Sequence, residues 1–430
     1  MHTVAVRLYG KNDLRLEEFL LPEIKDTEIL MEVIADSLCM SSWKAIQAGA
    51  DHKRVPNDVH ENPIIIGHEF SGRLVKIGKK WQEKFAEGEV VTIQPALNYK
   101  GSMDSPGYSY PYCGGDATYI ILPEELMLVD ALLPVKAEGF FMSALSEPYS
   151  CVIGAAHSMF RTSRTKHEHI MGLKPEGILG ILGGCGPMGL AAIDFALAGE
   201  KRPSKIIVTD QDTAKIERAK KIYGPIAKER NIELEILNTK DVKDEFSLLR
   251  DATDGLLFDD VFVMVAVPAV LELGEKLLAF NGCMNFFAGP VNTDFYARLN
   301  YYDVHYFEKH VIGTTGGTID DQREALELME RKLIKPEALI THVGGLDAAL
   351  DASLKLPEIS GGKKLVYTHK QLPLFAIEDL PKLAQTSDFF TSLEKIVEKS
   401  HGLWSHEAEE YVLNYAPNIS ESDLVKKVIK

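Results

Sequence analysis

The order of apolar and polar residues divides the chain into regions with different patterns. Up to about residue 125, short apolar or alternating runs are separated by Gly, Pro, Asn and Asp, which predicts strands joined by turns. The clearest predicted strands are Val4–Leu8, Leu14–Phe19, Glu28–Ile34, Gly72–Ile77 and Val90–Ile93. We therefore expect the first part of the chain to form a β-rich unit.

From residue 150 to about 312, short apolar runs alternate with segments at helical spacing. The predicted strands are Ile178–Leu182, Lys205–Thr209, Asp260–Val267 and Met284–Ala288. The predicted helices are Leu190–Ala198, Thr213–Tyr223 and Ala269–Ala279. This alternation is typical of a doubly wound, parallel α/β sheet of the Rossmann type.

These patterns predict an α/β protein that contains a β-rich unit and a parallel sheet. We expect residues 1–155 to form the β-rich domain and residues 156–312 the dinucleotide-binding sheet. Residues 313–430 are expected to return to the first domain and to end in a helical extension. In that last part, a helix is predicted over Asp320–Lys332, a strand over Lys364–Tyr367, and a helix capped by Ser387.

Composition narrows the class of protein and its partners. The 430 residues carry a formal net charge of -16, which disfavours nucleic acid and anionic membranes as partners. The five scattered cysteines do not suggest a disulfide framework and fit a reducing compartment. No apolar run reaches the ~18 residues of a membrane span, and no targeting segment is visible at the ends. We therefore expect a cytoplasmic protein that acts on a small molecule.

The strongest local motif is I-L-G-G-C-G-P-M-G-L, which contains G-x-G-x-x-G at Gly184, Gly186 and Gly189. It follows a predicted strand and opens a predicted helix, the context in which such a loop binds a dinucleotide pyrophosphate. Asp210 ends the next predicted strand, where a carboxylate accepts hydrogen bonds from a ribose and repels a 2′-phosphate. The motif, with Pro187 and Met188 inside it, therefore predicts binding of NAD in preference to NADP.

A second set of residues has the chemistry of a zinc site. Cys39 lies about thirty residues before G-H-E-F-S-G, which contains His68 and Glu69, and Glu147 follows at the end of the β-rich part. Thiolate, imidazole and carboxylate groups are common zinc ligands. Any one of these residues alone is more often a packed or solvated side chain, so the prediction depends on their occurring together.

With these motifs in place, the chain resembles the zinc-type medium-chain alcohol dehydrogenases over residues 1 to about 368. The pattern G-H-E-x-x-G-x5-G is met from Gly67 to Gly78, and Asn300–Gly317 resembles the sorbose-phosphate-reducing members of the polyol and sugar-phosphate branch. The resemblance implies a GroES-like β-rich catalytic domain and a homodimer or homotetramer. It also implies hydride transfer between NAD(H) and a polyol or ketose, which is phosphorylated in some members, with zinc polarising the substrate oxygen.

The resemblance also assigns roles to individual residues. Cys39, His68 and Glu147 match the catalytic zinc ligands, and Glu69 matches an alternate ligand or a group behind the ligands. Ser41 matches the hydroxyl that starts a proton relay. Lys363 falls near a position where the family often has a basic residue, which implies a place close to the pyrophosphate of NAD.

The chain departs from the family pattern after Cys39, where it has M-S-S-W-K. Ser42 stands in place of an aspartate that steadies the metal site, and Lys44 stands in place of the relay histidine. Lys44 could move a proton or, with His52, Lys53 and Arg54, bind a substrate phosphate; a solvated loop is an equally good interpretation. The region from Pro95 to Gly115 has Cys113 alone, so we expect one catalytic zinc and no structural zinc.

Two alternatives remain open at the level of sequence. One is a zinc-free reductase on the same fold, which the joint presence of the candidate ligands disfavours. The other is a dinucleotide-binding sensor with a decayed site, to which the M-S-S-W-K departure lends some support.

Overall fold

The computed structural model describes residues 1–136 and 138–419, and these residues form two compact units. The β-rich unit contains Met1–Glu147, Met329–Arg331 and the described residues from Pro336 onward. The sheet unit contains Pro148–Leu328 and Lys332–Lys335. The chain thus passes into the sheet unit at Pro148, before the expected boundary at 155. Pro148 lies in a helix, Ser146–Ser158, that was not predicted from the sequence. The chain returns after the predicted helix near 320, later than the expected boundary at 313.

The strands are, in chain order, β1 His2–Gly10, β2 Asp13–Leu20, β3 Ile29–Leu38, β4 Ile64–Ile65, β5 Phe70–Ile77, β6 Val90–Ile93, β7 Tyr119–Leu122, β8 Leu132–Pro134, β9 Phe160–Thr162, β10 His169–Met171, β11 Ile178–Leu182, β12 Lys205–Asp210, β13 Glu233–Asn238, β14 Phe258–Val263, β15 Leu278–Phe286, β16 His310–Gly313, β17 Ile340–Gly345, β18 Lys363–Tyr367 and β19 Phe375–Ala376.

The α-helices are α1 Met40–Ala48, α2 Glu124–Leu128, α3 Phe140–Ala144, α4 Ser146–Ser158, α5 Pro187–Ala198, α6 Thr213–Glu229, α7 Glu245–Ala252, α8 Pro268–Lys276, α9 Tyr301–Tyr306, α10 Ile319–Glu330, α11 Leu346–Leu354, α12 Leu380–Leu383, α13 Asp388–Lys399 and α14 His406–Tyr415. None of the described helices is long and apolar enough to span a bilayer.

The β-rich unit is built on a mixed sheet in the order β19-β17-β18-β3-β5-β6-β8, with β7 also paired to β3. In this sheet β3 lies between β5 and β18 and is antiparallel to both. Its outer end, where the candidate metal ligand Cys39 follows Leu38, therefore lies beside the start of β5 and the start of β18. A smaller sheet in the order β2-β1-β4 belongs to the same unit.

The sheet unit has parallel strands in the order β13-β12-β11-β14-β15-β16. This order reverses at β11, which is the topological switch point of a doubly wound fold and the usual place for a dinucleotide. A buried cluster that includes Leu182, Ile207, Phe258, Val263 and Met284 fills the space beneath the sheet. The predicted Rossmann architecture is confirmed.

Most of the predicted elements are present, with shifted ends. The helix predicted over Thr213–Tyr223 continues to Glu229, through Gly224 and Pro225, at which the pattern stopped. Strand β13 was missed because its sequence, E-L-E-I-L-N, is only partly buried and carries charged residues. The predicted helix cap at Ser387 is observed: its hydroxyl accepts a hydrogen bond from the Phe390 N–H at 3.4 Å.

Candidate active site

The pairing of β3 with its neighbours assembles a cluster of potential metal ligands. Asp36 of β3 lies opposite Phe70 of β5, so Cys39 after β3 comes close to His68 and Glu69 before β5. The ligand atoms of Cys39, His68 and Glu69 all lie within 4.8 Å of one another. His68 and Glu69 are buried and Cys39 is half-buried. A thiol, an imidazole and a carboxylate at this spacing fit the ligands that zinc prefers.

Glu147 lies in the same unit as this cluster, at the start of α4, and is buried. It is not one of the three mutually close groups. Burial raises the pKa of Glu147 to about 7, while the nearby His68 pulls it downward and the nearby Glu69 and Cys39 push it up. The Glu147 carboxylate therefore interacts electrostatically with His68, Glu69 and Cys39.

Lys363 is the buried cation of the cluster. Because Lys364 of β18 lies opposite Leu38 of β3, Lys363 comes close to the end of β3. Its ammonium donates to the two carboxylate oxygens of Glu69 at 2.5 and 2.6 Å. Burial alone would lower the pKa of Lys363, but Cys39 and Glu69 hold it above its ordinary value. The sequence placed this lysine near the pyrophosphate; the structure shows that its ammonium is engaged by Glu69, and we no longer assign it to the cofactor.

Two serines and a tyrosine hold His68 and Cys39. The Ser42 hydroxyl lies 3.0 Å from His68 Nδ1, so it fixes the ring and leaves Nε2 toward the cluster. The Ser41 hydroxyl donates to Cys39 Sγ at 3.0 Å and lies 3.3 Å from His68 Nε2. The Tyr108 hydroxyl donates to Ser41 Oγ at 2.9 Å and lies 3.4 Å from His68 Nε2. Ser42 therefore supports the candidate metal ligand His68 from the position where the family pattern has an aspartate.

Burial sets the protonation of these groups. It raises the pKa of the Cys39 thiol, which the Lys363 ammonium opposes, and it lowers the pKa of His68. It also raises the pKa of Tyr108 well above the ordinary value, so that this phenol stays protonated and donates a hydrogen bond at neutral pH. A neutral imidazole is the form that binds a metal, while a thiol in such a site must lose its proton when metal binds.

Basic residues predicted as a possible anion site lie beside Tyr108. The Arg54 guanidinium is 5.3 Å from the centre of the Tyr108 ring, and the His52 ring stacks on Tyr108 at a centroid distance of 5.8 Å. Lys44 lies on α1, and burial lowers its pKa, although nearby Cys39 acts in the opposite direction. Lys53 is exposed. Tyr108 thus connects Arg54 and His52 to the candidate metal ligands.

The predicted dinucleotide loop joins β11 to α5 in the sheet unit. Gly186 caps the start of α5, and Pro187 is the first residue of that helix. A Cβ atom on Gly189 would lie 2.2 Å from the Gly184 carbonyl oxygen, so the helix can approach the loop only because Gly189 has no side chain. A Cβ atom on Gly186 would meet open space, which leaves the backbone accessible to a phosphate. Met188 is half-buried in the same turn.

Asp210 ends β12 beside this loop. One of its carboxylate oxygens accepts from the Cys185 N–H at 2.9 Å, and the other accepts from Gln211 and Asp212 N–H groups at 2.8 and 3.0 Å. The side chain therefore fixes the glycine loop and presents a carboxylate next to it. Together, the loop and Asp210 fit the pyrophosphate and the ribose of a nicotinamide dinucleotide.

Comparison with known proteins identifies the family. Residues 25–132 match the alcohol dehydrogenase GroES-like domain, and residues 187–331 match the zinc-binding dehydrogenase domain. The chain is 45% identical to the L-sorbose 1-phosphate reductase of Klebsiella pneumoniae over 97% of this chain and 99% of that protein. The chain belongs to the zinc-binding alcohol dehydrogenase family. The resemblance inferred from the motifs is confirmed, and the protein is an oxidoreductase of this family.

A further similar sequence and a similar solved structure agree with this family. The mannitol-1-phosphate 5-dehydrogenase of Aliivibrio fischeri is 40% identical over 96% of this chain and 98% of that protein. The 2R,3R-butanediol dehydrogenase of Bacillus subtilis has the same fold, with a TM-score of 0.68 at 22% identity over 85% of this chain and 99% of that structure. Both the GroES-like domain and the dinucleotide-binding domain are therefore shown.

Two groups in this site were not predicted from the sequence. Tyr108 lies in the region where a structural zinc lobe was considered, and only the folded chain shows its hydroxyl against Ser41. Its one local signal is the preceding Gly107, where a Cβ atom would lie 2.1 Å from the Gly67 carbonyl oxygen, beside His68. The pairing of Lys363 with Glu69 was also missed, because it joins residues 294 positions apart.

Proposed function

We propose that this protein interconverts a ketose phosphate and the corresponding polyol phosphate, using NAD(H) and one zinc ion. The observation that carries the proposal is the close set of Cys39, His68 and Glu69 next to the hydroxyls of Ser41 and Tyr108. Cys39, His68 and Glu147 would hold the metal, with Glu69 as the alternate ligand that Lys363 keeps neutralised.

The residues divide the chemistry between them. A zinc ion bound in this site would supply Lewis acidity toward the substrate oxygen, and a bound dinucleotide would supply or accept the hydride. Reduction of a ketone also consumes a proton. Ser41 is the hydroxyl next to the ligands, and the Tyr108 hydroxyl donates to it, so Ser41 delivers the proton and Tyr108 replaces it. Lys44, whose pKa is lowered by burial, is our candidate for the outer end of this relay.

A phosphorylated substrate is favoured by the relatives and by local charge. Two relatives that match nearly the whole chain carry names that refer to sugar phosphates, L-sorbose 1-phosphate and mannitol 1-phosphate. The net charge of -16 would repel a phosphate ester unless cations are placed near the site. Arg54, which packs on Tyr108, is a suitably placed cation.

We propose NAD as the cofactor because of the Asp210 carboxylate. Its position at the end of β12, next to the glycine loop, would allow a hydrogen bond to an unmodified ribose and would repel a 2′-phosphate. Gly184, Gly186, Pro187, Met188 and Gly189 would surround the pyrophosphate.

We also propose a cytoplasmic homodimer or homotetramer. The five cysteines form no disulfides, as expected in a reducing compartment.

Strand β16 lies at an edge of the described parallel sheet and exposes Val311. An exposed edge can pair with the same edge of a second copy. Light scattering should give a mass of at least two chains, and Val311→Lys should lower it; a monomeric wild-type protein would refute this assembly.

The function is tested by following NADH oxidation at 340 nm with L-sorbose 1-phosphate, fructose phosphates and unphosphorylated ketoses. We expect a ketose phosphate to be reduced, the rate to fall on chelation, and Cys39→Ala to lose activity by about a thousandfold. Activity that resists chelation would favour a zinc-free reductase. NADH binding without turnover of any substrate would favour the sensor.

A further inference from the structure

Arg54 is a cation at the candidate active site with no counter-ion among the residues that the structure describes. Its guanidinium packs on the Tyr108 ring, and its Nε is buried without a hydrogen-bond partner. Its backbone is held on both sides: the N–H donates to His52 Nδ1 at 3.3 Å, and the carbonyl accepts from the Ser109 hydroxyl at 2.8 Å. A fixed guanidinium with unused donors is well suited to bind an anion.

Arg54 and the candidate metal ligand His68 lie against the same side chain, Tyr108. The Arg54 guanidinium lies over the ring, 5.3 Å from its centre, and the hydroxyl of that ring contacts Ser41 and lies 3.4 Å from His68 Nε2. In a ketose 1-phosphate, the phosphate is attached to the carbon next to the carbonyl, so the groups that recognise the phosphate and the carbonyl must lie close together. We propose that Arg54, with the His52 ring beside it, binds the substrate phosphate; this assignment rests on the proposed function.

A charge-removing variant tests this assignment. In Arg54→Gln, we expect the KM for a ketose 1-phosphate to rise by about 10- to 100-fold, the usual effect of losing hydrogen bonds to a charged group. The KM for the same ketose without phosphate should not change, and inorganic phosphate should lose its competitive inhibition. Lys53→Gln is the matched control, because this neighbouring cation is exposed.

The outcomes separate the subsite from the reaction. If Arg54→Gln raises the KM equally for both ketoses, or does not raise it for the phosphorylated ketose, Arg54 does not bind the substrate phosphate. If the wild type turns over neither ketose, the proposed function fails, and calorimetric binding of the ketose 1-phosphate then decides the subsite. Binding that Arg54→Gln abolishes and Lys53→Gln retains would support it, whereas equal binding by both variants would refute it.

A second observation concerns the helices that follow β19. Helices α13 and α14 pack against the core of the β-rich unit through Leu393, Val397, Trp404 and Val412. Within this extension, the Glu409 side chain is 1% exposed, although it carries a carboxylate. Such a group is expensive to bury unless its oxygens accept several hydrogen bonds.

The Glu409 carboxylate caps the start of α3. One oxygen accepts from the Phe140 N–H at 2.8 Å and the other accepts from the Phe141 N–H at 2.9 Å. These N–H groups lie in the first turn, where no helical carbonyl is available to them. The preceding Gly139 has φ +93°, and a Cβ atom there would lie 2.9 Å from Glu409 Oε2. Glycine at 139 therefore allows the carboxylate to reach the helix.

The Glu409 carboxylate connects α3 to β18, and the Phe140 carbonyl connects α3 to β5. The Tyr367 hydroxyl at the end of β18 donates to Glu409 Oε1 at 3.2 Å and accepts from Trp404 Nε1 at 2.8 Å. The Ser71 hydroxyl in β5 donates to the Phe140 carbonyl at 2.6 Å. Phe140 is thus held by Glu409 at its N–H and by β5 at its carbonyl.

Helix α3 ends at Ala144, and Glu147 follows it in the first turn of α4. We infer that Glu409 is a positioning residue: it fixes the segment that places Glu147 as a metal ligand. This gives the C-terminal extension a role at the active site. The inference rests on the proposed function, because it requires Glu147 to bind the metal.

The test uses the cobalt-substituted protein, since the visible spectrum of Co²⁺ reports its ligands independently of activity. We expect Glu409→Gln to change the spectrum in the same direction as Glu147→Gln and to increase metal removal by a chelator about tenfold. Glutamine can accept from one N–H but turns a donor toward the other. Glu410→Gln, at an exposed neighbour that lies 3.5 Å from His406, is the control and should leave the spectrum unchanged.

A purely structural Glu409 would lower the melting temperature and leave the cobalt spectrum and the chelation rate as in the wild type. That result would overturn the positioning role while leaving the proposed function intact. If Glu147→Gln itself leaves the spectrum unchanged, Glu147 is not a ligand. In that case, both the ligand assignment and the role of Glu409 are refuted.

Discussion

The candidate metal site and the candidate dinucleotide site are built in opposite ways. The dinucleotide loop is one continuous stretch, in which β11, the glycine turn and α5 follow each other and Asp210 ends the next strand. The metal cluster joins residues that are far apart in sequence, from Cys39 to Lys363, and depends on the pairing of β3 with both β5 and β18. A local motif contains its own geometry, whereas an assembled site exists only in the folded sheet.

The largest expected effect is a loss of stability when Lys363 of the metal cluster is replaced. Lys363→Met would leave the Glu69 carboxylate, which is 1% exposed, without its cation. Breaking a buried pair in this way should cost about 3–5 kcal/mol of stability. Urea unfolding followed by tryptophan fluorescence measures it selectively, because Trp43, Trp81 and Trp404 all lie in the β-rich unit.

The control for this prediction is the double variant Lys363→Met with Glu69→Gln, which removes both charges and should recover much of the loss. A loss below about 1 kcal/mol in the single variant would be typical of an exposed pair. Such a small loss would show that the Glu69 carboxylate does not need the Lys363 ammonium, which the pairing of β3 with β18 brings to it.

The same contrast explains how far the sequence could predict the site. The glycine loop and Asp210 could be placed from spacing alone, because a strand, a turn and a helix are local. The family resemblance supplied Cys39, His68, Glu69 and Glu147 as a set. The contacts of Tyr108 and Lys363 could not be predicted, because they depend on long-range register: Lys364 opposite Leu38 brings β18 to the cluster.

The fold was predictable to a similar degree. Strands with strong alternation or continuous apolar runs were found, including β11, for which the predicted and observed ends agree. Short helices such as α3 were missed, because five residues carry too little periodic signal. The division into compact units differs from the boundary expected at 155, since α4 begins in one unit and continues in the other.

The next effect tests the continuous site. Asp210→Ala removes the carboxylate that would repel a 2′-phosphate, so the preference for NADH over NADPH, as a ratio of kcat/KM values, should fall by about 10- to 100-fold. The cobalt spectrum of the metal cluster should not change. An unaltered cofactor preference would show that Asp210 serves only to hold the Cys185 N–H.

A smaller effect separates two neighbouring serines in the metal cluster. Ser42→Ala removes the hydroxyl at 3.0 Å from His68 Nδ1 and should weaken zinc binding by about tenfold. Ser41→Ala should retain zinc and instead lower kcat, because its hydroxyl passes the proton. Competition with a chelator and steady-state kinetics distinguish the two. Equal zinc affinities in both variants and the wild type would rule out the supporting role of Ser42.

The smallest effect lies in the sheet unit, at the pair formed by His157 Nδ1 and Asp321 at 2.9 Å. The hydrogen bond to Asp321 raises the pKa of His157 above its ordinary value. The pair therefore contributes its full stabilisation of the fold below the pKa that His157 has in the unfolded chain. This stabilisation is lost as the pH rises through the higher pKa of His157 in the folded protein. Because the imidazole is half exposed, we expect less than about 1 kcal/mol.

Hydrogen exchange of α4 and α10, corrected for intrinsic rates, measures this contribution. Protection in the wild type should fall slightly between pH 6 and pH 8, and His157→Gln should remove that dependence. A pH dependence that persists in the variant would assign it to other groups.

The central claim is that the chain assembles one zinc site from distant segments. Its most direct test is elemental analysis of the purified wild-type protein after dialysis against metal-free buffer. We predict one zinc per chain. Less than about a tenth of a zinc per chain in protein that still reduces its substrate would contradict the account.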